Sequence, residues 1–397
     1  MLQRSNAYGL PMSLLSRLQA RRPAARPLSS YPLEHTDLGA RISRTINDAL
    51  ASAGLLRAPL RAPPVTAPPI PADPAPALDP EALAPAPHPG TFLEHSFSHP
   101  AGTRSYKLYI PASYDPGSKA AYPLVLMLHG CTQSPDDFAA GTRMNALADQ
   151  QGFLVAYPAQ SPNANGSRCW NWFRPGDQGR AAGEPALLAG LTRELIARHA
   201  VDPQRVYVAG LSAGAAMAVI LGATHPELYA AVGAHSGLPY RAARDVPSAF
   251  AAMGGTHALR EVAEETDAQA RQAKRPPAPV VPLIVFHGDA DHTVAAANGE
   301  ALVKQATGAA SEVLPTTRER SRSGNGRSYT RSVYTTALGE PLVEYWQLHG
   351  AGHAWSGGSN QGSYTDPTGP DASAEMVRFF LQLKRQQQPA AGGSSPA

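Results

Sequence analysis

The sequence predicts an α/β fold, a mainly parallel β-sheet with helices on both faces, and three observations carry that expectation. Short apolar runs of strand character alternate with helical patterns through most of the chain, and such alternation builds parallel sheets. Several of these runs, residues 123–128 above all, are apolar throughout, as strands buried on both faces are. One of them, residues 206–208, passes through Gly210-Leu-Ser212-Ala-Gly214 directly into a small-residue helical pattern.

Composition sets the bounds. A chain of 397 residues, 43% hydrophobic and 16% charged, can bury one large core. A net charge of +3 is too small to point to nucleic acid or an anionic membrane. With no run of about 18 apolar residues, no transmembrane segment is expected. The basic N-terminal region (Arg4, Arg17, Arg21, Arg22) surrounds an apolar stretch at 9–15 too short and interrupted for a signal peptide, so the default compartment is cytoplasmic. Two cysteines, Cys131 and Cys169, cannot supply the four ligands of a structural zinc site. No metal or other cofactor is expected.

Residues 1–90 read as an N-terminal extension. Thr36-Asp37 caps a short amphipathic pattern with Leu38, Ile42, Ile46 and Leu50 on one face, and a proline- and alanine-rich leash follows at 59–89. The catalytic domain is expected over 91–385. Residues 105–110 alternate Tyr106, Leu108 and Ile110 as an antiparallel edge strand does, and 123–128 form a buried strand. A helix near 143–151 leads to a strand at 154–157, and a helix at 184–199 leads to the strand before Ser212. Further strands are expected at 229–233, 283–286 and 342–348, with helices near 295–306 and 371–384. The segment 237–282 has room for a short helical excursion, polar around 261–274, rather than a large lid. The tail at 386–397 is expected to be disordered.

The chemistry follows from the loops that end these strands. A serine hydroxyl needs a base, and the base an orienting carboxylate. After the strand at 283–286 comes His287-Gly-Asp289-Ala-Asp291, and after the strand at 342–348 comes His349-Gly-Ala-Gly352-His353. The order Ser, Asp, His at successive strand ends resembles that of α/β-hydrolases. Asp291 is favoured over Asp289 as the acid and His353 over His349 as the base. His129 and His287 read as hydrogen-bonded turn histidines. The amide of Ala213, after the serine, and that of Cys131, in the loop after residues 123–128, are the candidate oxyanion donors. Trp170, Trp172 and Trp355 fall in loops around this site and are candidates for substrate binding or, equally, for the core.

The strings Leu128-His-Gly-Cys-Thr-Gln133, Cys169-Trp-Asn-Trp-Phe173, Gly210-Leu-Ser-Ala-Gly214 and Gly352-His-Ala-Trp355 resemble the short-chain polyhydroxyalkanoate depolymerases, a poly(3-hydroxybutyrate) depolymerase-type esterase family that shades into acetylxylan and feruloyl esterases. The resemblance covers about residues 91–385. It implies an α/β-hydrolase fold, a serine carboxylesterase acting on short hydroxyacyl esters or polyesters, the triad Ser212, Asp291 and His353, and a Cys131–Cys169 disulfide. Ala215 and Ser356 depart from the family's usual glycine and proline. Exported members carry signal peptides and often polymer-binding domains, so the expectation is an intracellular member, with secretion the alternative that a disulfide favours. The expected partner is an ester or polyester substrate. A binding-only role at a polymer-granule surface is the rival, with no nucleic acid involved.

Overall fold

The computed structural model describes residues 90–117, 121–255, 280–310, 313–324 and 326–385. The capped pattern at 36–50, the leash at 59–89, the excursion around 261–274 and the tail from 386 lie outside the described residues.

Among the described residues a 10-stranded sheet forms the centre. In chain order its strands are β1 (Thr91–His99), β2 (Gly102–Ile110), β3 (Tyr122–Leu128), β4 (Leu154–Pro158), β5 (Val201–Leu211), β6 (Ala231–His235), β7 (Leu283–Gly288), β8 (Thr316–Arg322), β9 (Ser328–Thr335) and β10 (Pro341–Leu348). Their spatial order is β1-β2-β4-β3-β5-β6-β7-β10-β9-β8. The run from β4 to β10 is parallel, and an antiparallel pair closes each edge.

The parallel strands read as continuous apolar runs because alternate residues feed two cores. Leu124, Leu126 and Leu128 with Val206 and Val208 pack on one face, against α3 (Gly183–Arg198), α4 (Ala213–Thr224) and α6 (Ala297–Gly308). Val125 and Met127 with Tyr207 and Phe286 pack on the other, against α1 (Pro135–Thr142), α2 (Met144–Gln151) and α7 (Ala372–Leu381). A strand desolvated on both sides has no polar face to show.

Several elements differ from expectation. The strand read as an edge, β2, lies one place in, because β1 pairs along its whole length. Phe97 alone in β1 is buried, so its sequence carries almost no alternation. The strand expected at 229–233 forms at Ala231–His235. The hairpin β8–β9 was not anticipated: β8 is exposed and rich in arginine, serine and threonine, as a protected edge is. One short helix was passed over and another, within the segment 237–282 where a helical excursion was expected, was not placed, although both carry start signals. In α1, Ser134 caps the Asp137 N–H ahead of Pro135. In α5 (Val246–Met253), Asp245 and Ser248 form a reciprocal capping box around Pro247.

Candidate active site

The turn between β5 and α4 is strained in the manner of a nucleophile elbow. Ser212 has φ 58° and ψ −120°, a conformation that costs about 1–3 kcal/mol and persists only where the surroundings enforce it. Here they do. The Ser212 N–H donates to His235 O in the adjacent β6 at 2.9 Å. A Cβ on Gly210 would fall 2.4 Å from the Gly214 carbonyl carbon, and one on Gly214 would fall 2.1 Å from Leu128 O. Those glycines let the helix start touch the strands beneath it. Ala213 opens α4, where an amide has no intrahelical acceptor.

The acid and base loops leave neighbouring parallel strands, with Phe286 of β7 beside Trp346 of β10. They are close enough that a Cβ on Gly288 would meet Ala351 O at 2.2 Å. Two Asp–His pairs bridge them. Asp291 Oδ2 lies 2.7 Å from His353 Nδ1, with both side chains buried. Asp291 Oδ1 accepts the N–H groups of Thr293 and Val294 at 2.9 and 2.8 Å. Burial acts to raise the Asp291 carboxyl, but His353 beside it, then His287 and the Val294 amide, hold it well below the usual carboxylate range. An ionised carboxylate only accepts, so His353 carries a proton on Nδ1.

The second pair is peripheral. Asp289 Oδ2 lies 2.9 Å from His349 Nδ1, Asp289 Oδ1 accepts the Gly350 N–H at 2.6 Å, and His349 Nε2 bonds Thr330. Asp289 is thus a loop-capping carboxylate and His349 a strand-end brace, as expected. His287 bonds Val294 O through Nε2 at 2.8 Å. His129 bonds Gly130 O through Nδ1 and accepts the Gln160 N–H on Nε2, and burial pushes it down to about 4.

The loop after β3 is pinned from several sides. Cys131 is joined to Cys169 by a disulfide, the Thr132 N–H donates to Ser167 O at 2.7 Å, and Gln133 ties Gly130 to Asp137. Cys131, Ala213, Ser212 and His353 all line one cavity. Its walls are mostly apolar, made by Trp172, Phe173, Leu238, Val246, Phe250 and Met253, and among the described residues no Asp, Glu, Lys or Arg lines it. The α5 residues among them were missed, although the capping box marked their helix.

Of the three candidate tryptophans, only Trp172 faces this cavity. Trp170 is wholly buried and donates its indole N–H to His129 O at 3.1 Å. Trp355 is buried against Phe138 and His235 and donates to Ser373 Oγ at 3.0 Å. Both are core residues with satisfied polar tips, not substrate contacts. A short parallel pair, β11 (Trp355–Ser356) and β12 (Thr365–Asp366), holds the chain just past His353.

This arrangement of sheet, elbow and strand-end loops is an α/β-hydrolase fold. The acetyl xylan esterase of Aspergillus awamori superposes with a TM-score of 0.55 over 74% of this chain and 99% of that one, at 19% identity. The sequence model of the Esterase PHB depolymerase family matches residues 104–329, and the chain belongs to that family. It is 34% identical over 288 residues to poly(3-hydroxyalkanoate) depolymerase C of Paucimonas lemoignei, covering 72% of this chain and 65% of that protein. It is 30% identical to a poly(3-hydroxybutyrate) depolymerase of Ralstonia pickettii over 72% of this chain and 60% of that one. The chain therefore spans just under two thirds of these depolymerases' length. Feruloyl esterase B of Neurospora crassa is 31% identical over 64% of this chain and 85% of its own.

Proposed function

We propose that the chain is a serine carboxylesterase that cleaves short hydroxyacyl esters, oligomeric or polymeric, of the poly(3-hydroxybutyrate) kind. The observation that carries the reading is the Asp291–His353 pair, which opens on the same apolar cavity as the strained Ser212. His353 Nε2 takes the Ser212 proton as Oγ attacks the ester carbonyl. The amides of Ala213 and Cys131 hold the oxyanion, each such donor being worth about 2.7–4 kcal/mol of barrier. His353 then protonates the departing alkoxide. Water, activated by the same imidazole, releases the hydroxyacid from the acyl-enzyme.

An uncharged wall suits a neutral aliphatic acyl group. The two depolymerase relatives support a polyester substrate. The feruloyl esterase relative supports a second reading, an esterase of plant polysaccharide. Binding a polymer granule without turnover is disfavoured by the complete Ser–His–Asp set. The disulfide moves the compartment away from the cytoplasmic default, since thiol pairs stay reduced in the cytosol, and favours secretion. Among the described residues no helix is long and apolar enough to cross a membrane.

The test is product release from amorphous poly(3-hydroxybutyrate), acetylxylan and a feruloyl ester, measured side by side. Hydroxyacid release well above background is the expected result. Turnover confined to acetylxylan or the feruloyl ester would replace the polyester reading with the second one.

A further inference from the structure

The cavity wall carries a polar side chain that this mechanism leaves unused and that the fold holds in a single orientation. Asn165, in the segment between β4 and Cys169, lines the cavity with Ser212. Its Oδ1 accepts the N–H groups of Ser167 at 3.0 Å and Cys169 at 3.4 Å. Its Nδ2 donates to Asn171 Oδ1 at 3.2 Å.

An amide can be placed either way round, but here a buried carboxylate sets its direction. Glu184, in the first turn of α3, is 4% exposed. It accepts the Asn171 N–H at 2.7 Å and Asn171 Nδ2 at 2.8 Å, and it also receives Gln160 Nε2. A carboxylate only accepts, so Asn171 turns its Nδ2 inward and its Oδ1 outward. Asn165 must answer that oxygen with its own Nδ2. One of the two Nδ2 protons is spent there, and the other is left on a side chain facing the cavity.

The hydroxyls of the wall, on Tyr364 and Thr293, differ. Thr132 donates its hydroxyl proton to Cys131 O at 2.6 Å, so Tyr364, 2.9 Å away, spends its own proton on Thr132. The Thr293 hydroxyl turns about its bond and is not pre-aimed.

We infer that Asn165 is a specificity-determining donor, reading the carbonyl oxygen of the ester next along a hydroxyacyl chain. This rests on the esterase reading above. A fixed donor on an apolar wall discriminates because a substrate without the matching acceptor leaves it unpaired.

The test compares kcat/KM for the methyl ester of the linear 3-hydroxybutyrate trimer with that for 4-nitrophenyl butyrate, which has no second ester. Full-length wild type, Asn165→Ala and Asn165→Asp are measured. The trimer-to-butyrate ratio is expected to fall about tenfold in both variants, the worth of one hydrogen bond. Aspartate keeps the oxygen that receives the Ser167 and Cys169 amides, so it decides the matter if the alanine variant fails to fold. Equal losses on both substrates in the aspartate variant would overturn the inference, as would a wild type that cleaves the butyrate ester and not the trimer. Activity that survives Ser212→Ala would sink the esterase reading instead, and the two failures are thereby told apart.

Discussion

Two carboxylates sit two positions apart after β7, and each holds a histidine from the loop after β10. What separates them is burial. Asp291 is enclosed with His353 and receives two backbone amides, whereas Asp289 and His349 are partly exposed. Only the first pair reaches, through His353, the cavity that Ser212 lines. Asp291→Asn is therefore expected to lower kcat by about 10³–10⁴-fold with the fold retained, because an amide no longer enforces the Nδ1–H tautomer. Asp289→Asn is expected to cost less than about tenfold in kcat, by loosening a loop. Steady-state kinetics on one small ester, with circular dichroism, checks both. Comparable losses in the two variants would remove the distinction. The sequence favoured Asp291 and His353 through the motifs around them, and the structure pairs those two residues, with His353 on the cavity that Ser212 also lines. The direction of an indole was not legible. Trp170 and Trp355 stand in the same motifs as Trp172, but their side chains turn into the core, where backbone and hydroxyl acceptors await them.

Among the elements, the parallel strands were the most legible, since desolvation on both faces leaves an uninterrupted apolar run. The edge hairpin β8–β9 was the least legible, because an exposed edge is selected for polar and charged residues that mimic a loop. The loop carrying Cys131 depends on the disulfide, which closes a chain separation of 38 residues onto the Cys169 segment. By loop-closure entropy such a link stabilises the fold by about 4 kcal/mol. The double variant Cys131→Ala, Cys169→Ala is expected to lose stability of that order in denaturant unfolding. Its kcat should fall more than its KM rises, since the role proposed for the Cys131 amide is in the transition state. An unchanged kcat would remove the Cys131 loop from the oxyanion site.

At the scale of the whole molecule, several histidines are buried in neutral form. Burial pushes His129 and His225 down to about 4, and burial with the neighbouring His287 and His353 pushes His235 down to about 3. Each binds its proton more readily in the unfolded chain than in the folded one. The stability they contribute is complete above the unfolded value near pH 6.5 and declines as pH falls toward their folded values. For His129 alone the full decline amounts to about 3 kcal/mol. Unfolding free energies are therefore expected to drop steeply between about pH 6.5 and 4, and His129→Gln should flatten that slope. A slope unchanged by the substitution would contradict the buried neutral assignment. The Asp291 carboxyl, held low in the fold, adds a loss only in stronger acid. All these features serve a sheet that presents Ser212 at the end of one central strand, with Asp291 and His353 at the ends of two others. Ester hydrolysis by Ser212→Ala, measured with 4-nitrophenyl butyrate beside the wild type, tests that most directly. Loss of activity by about 10³-fold or more in a folded variant is the expected result, and activity within a few-fold of wild type would contradict a nucleophilic Ser212.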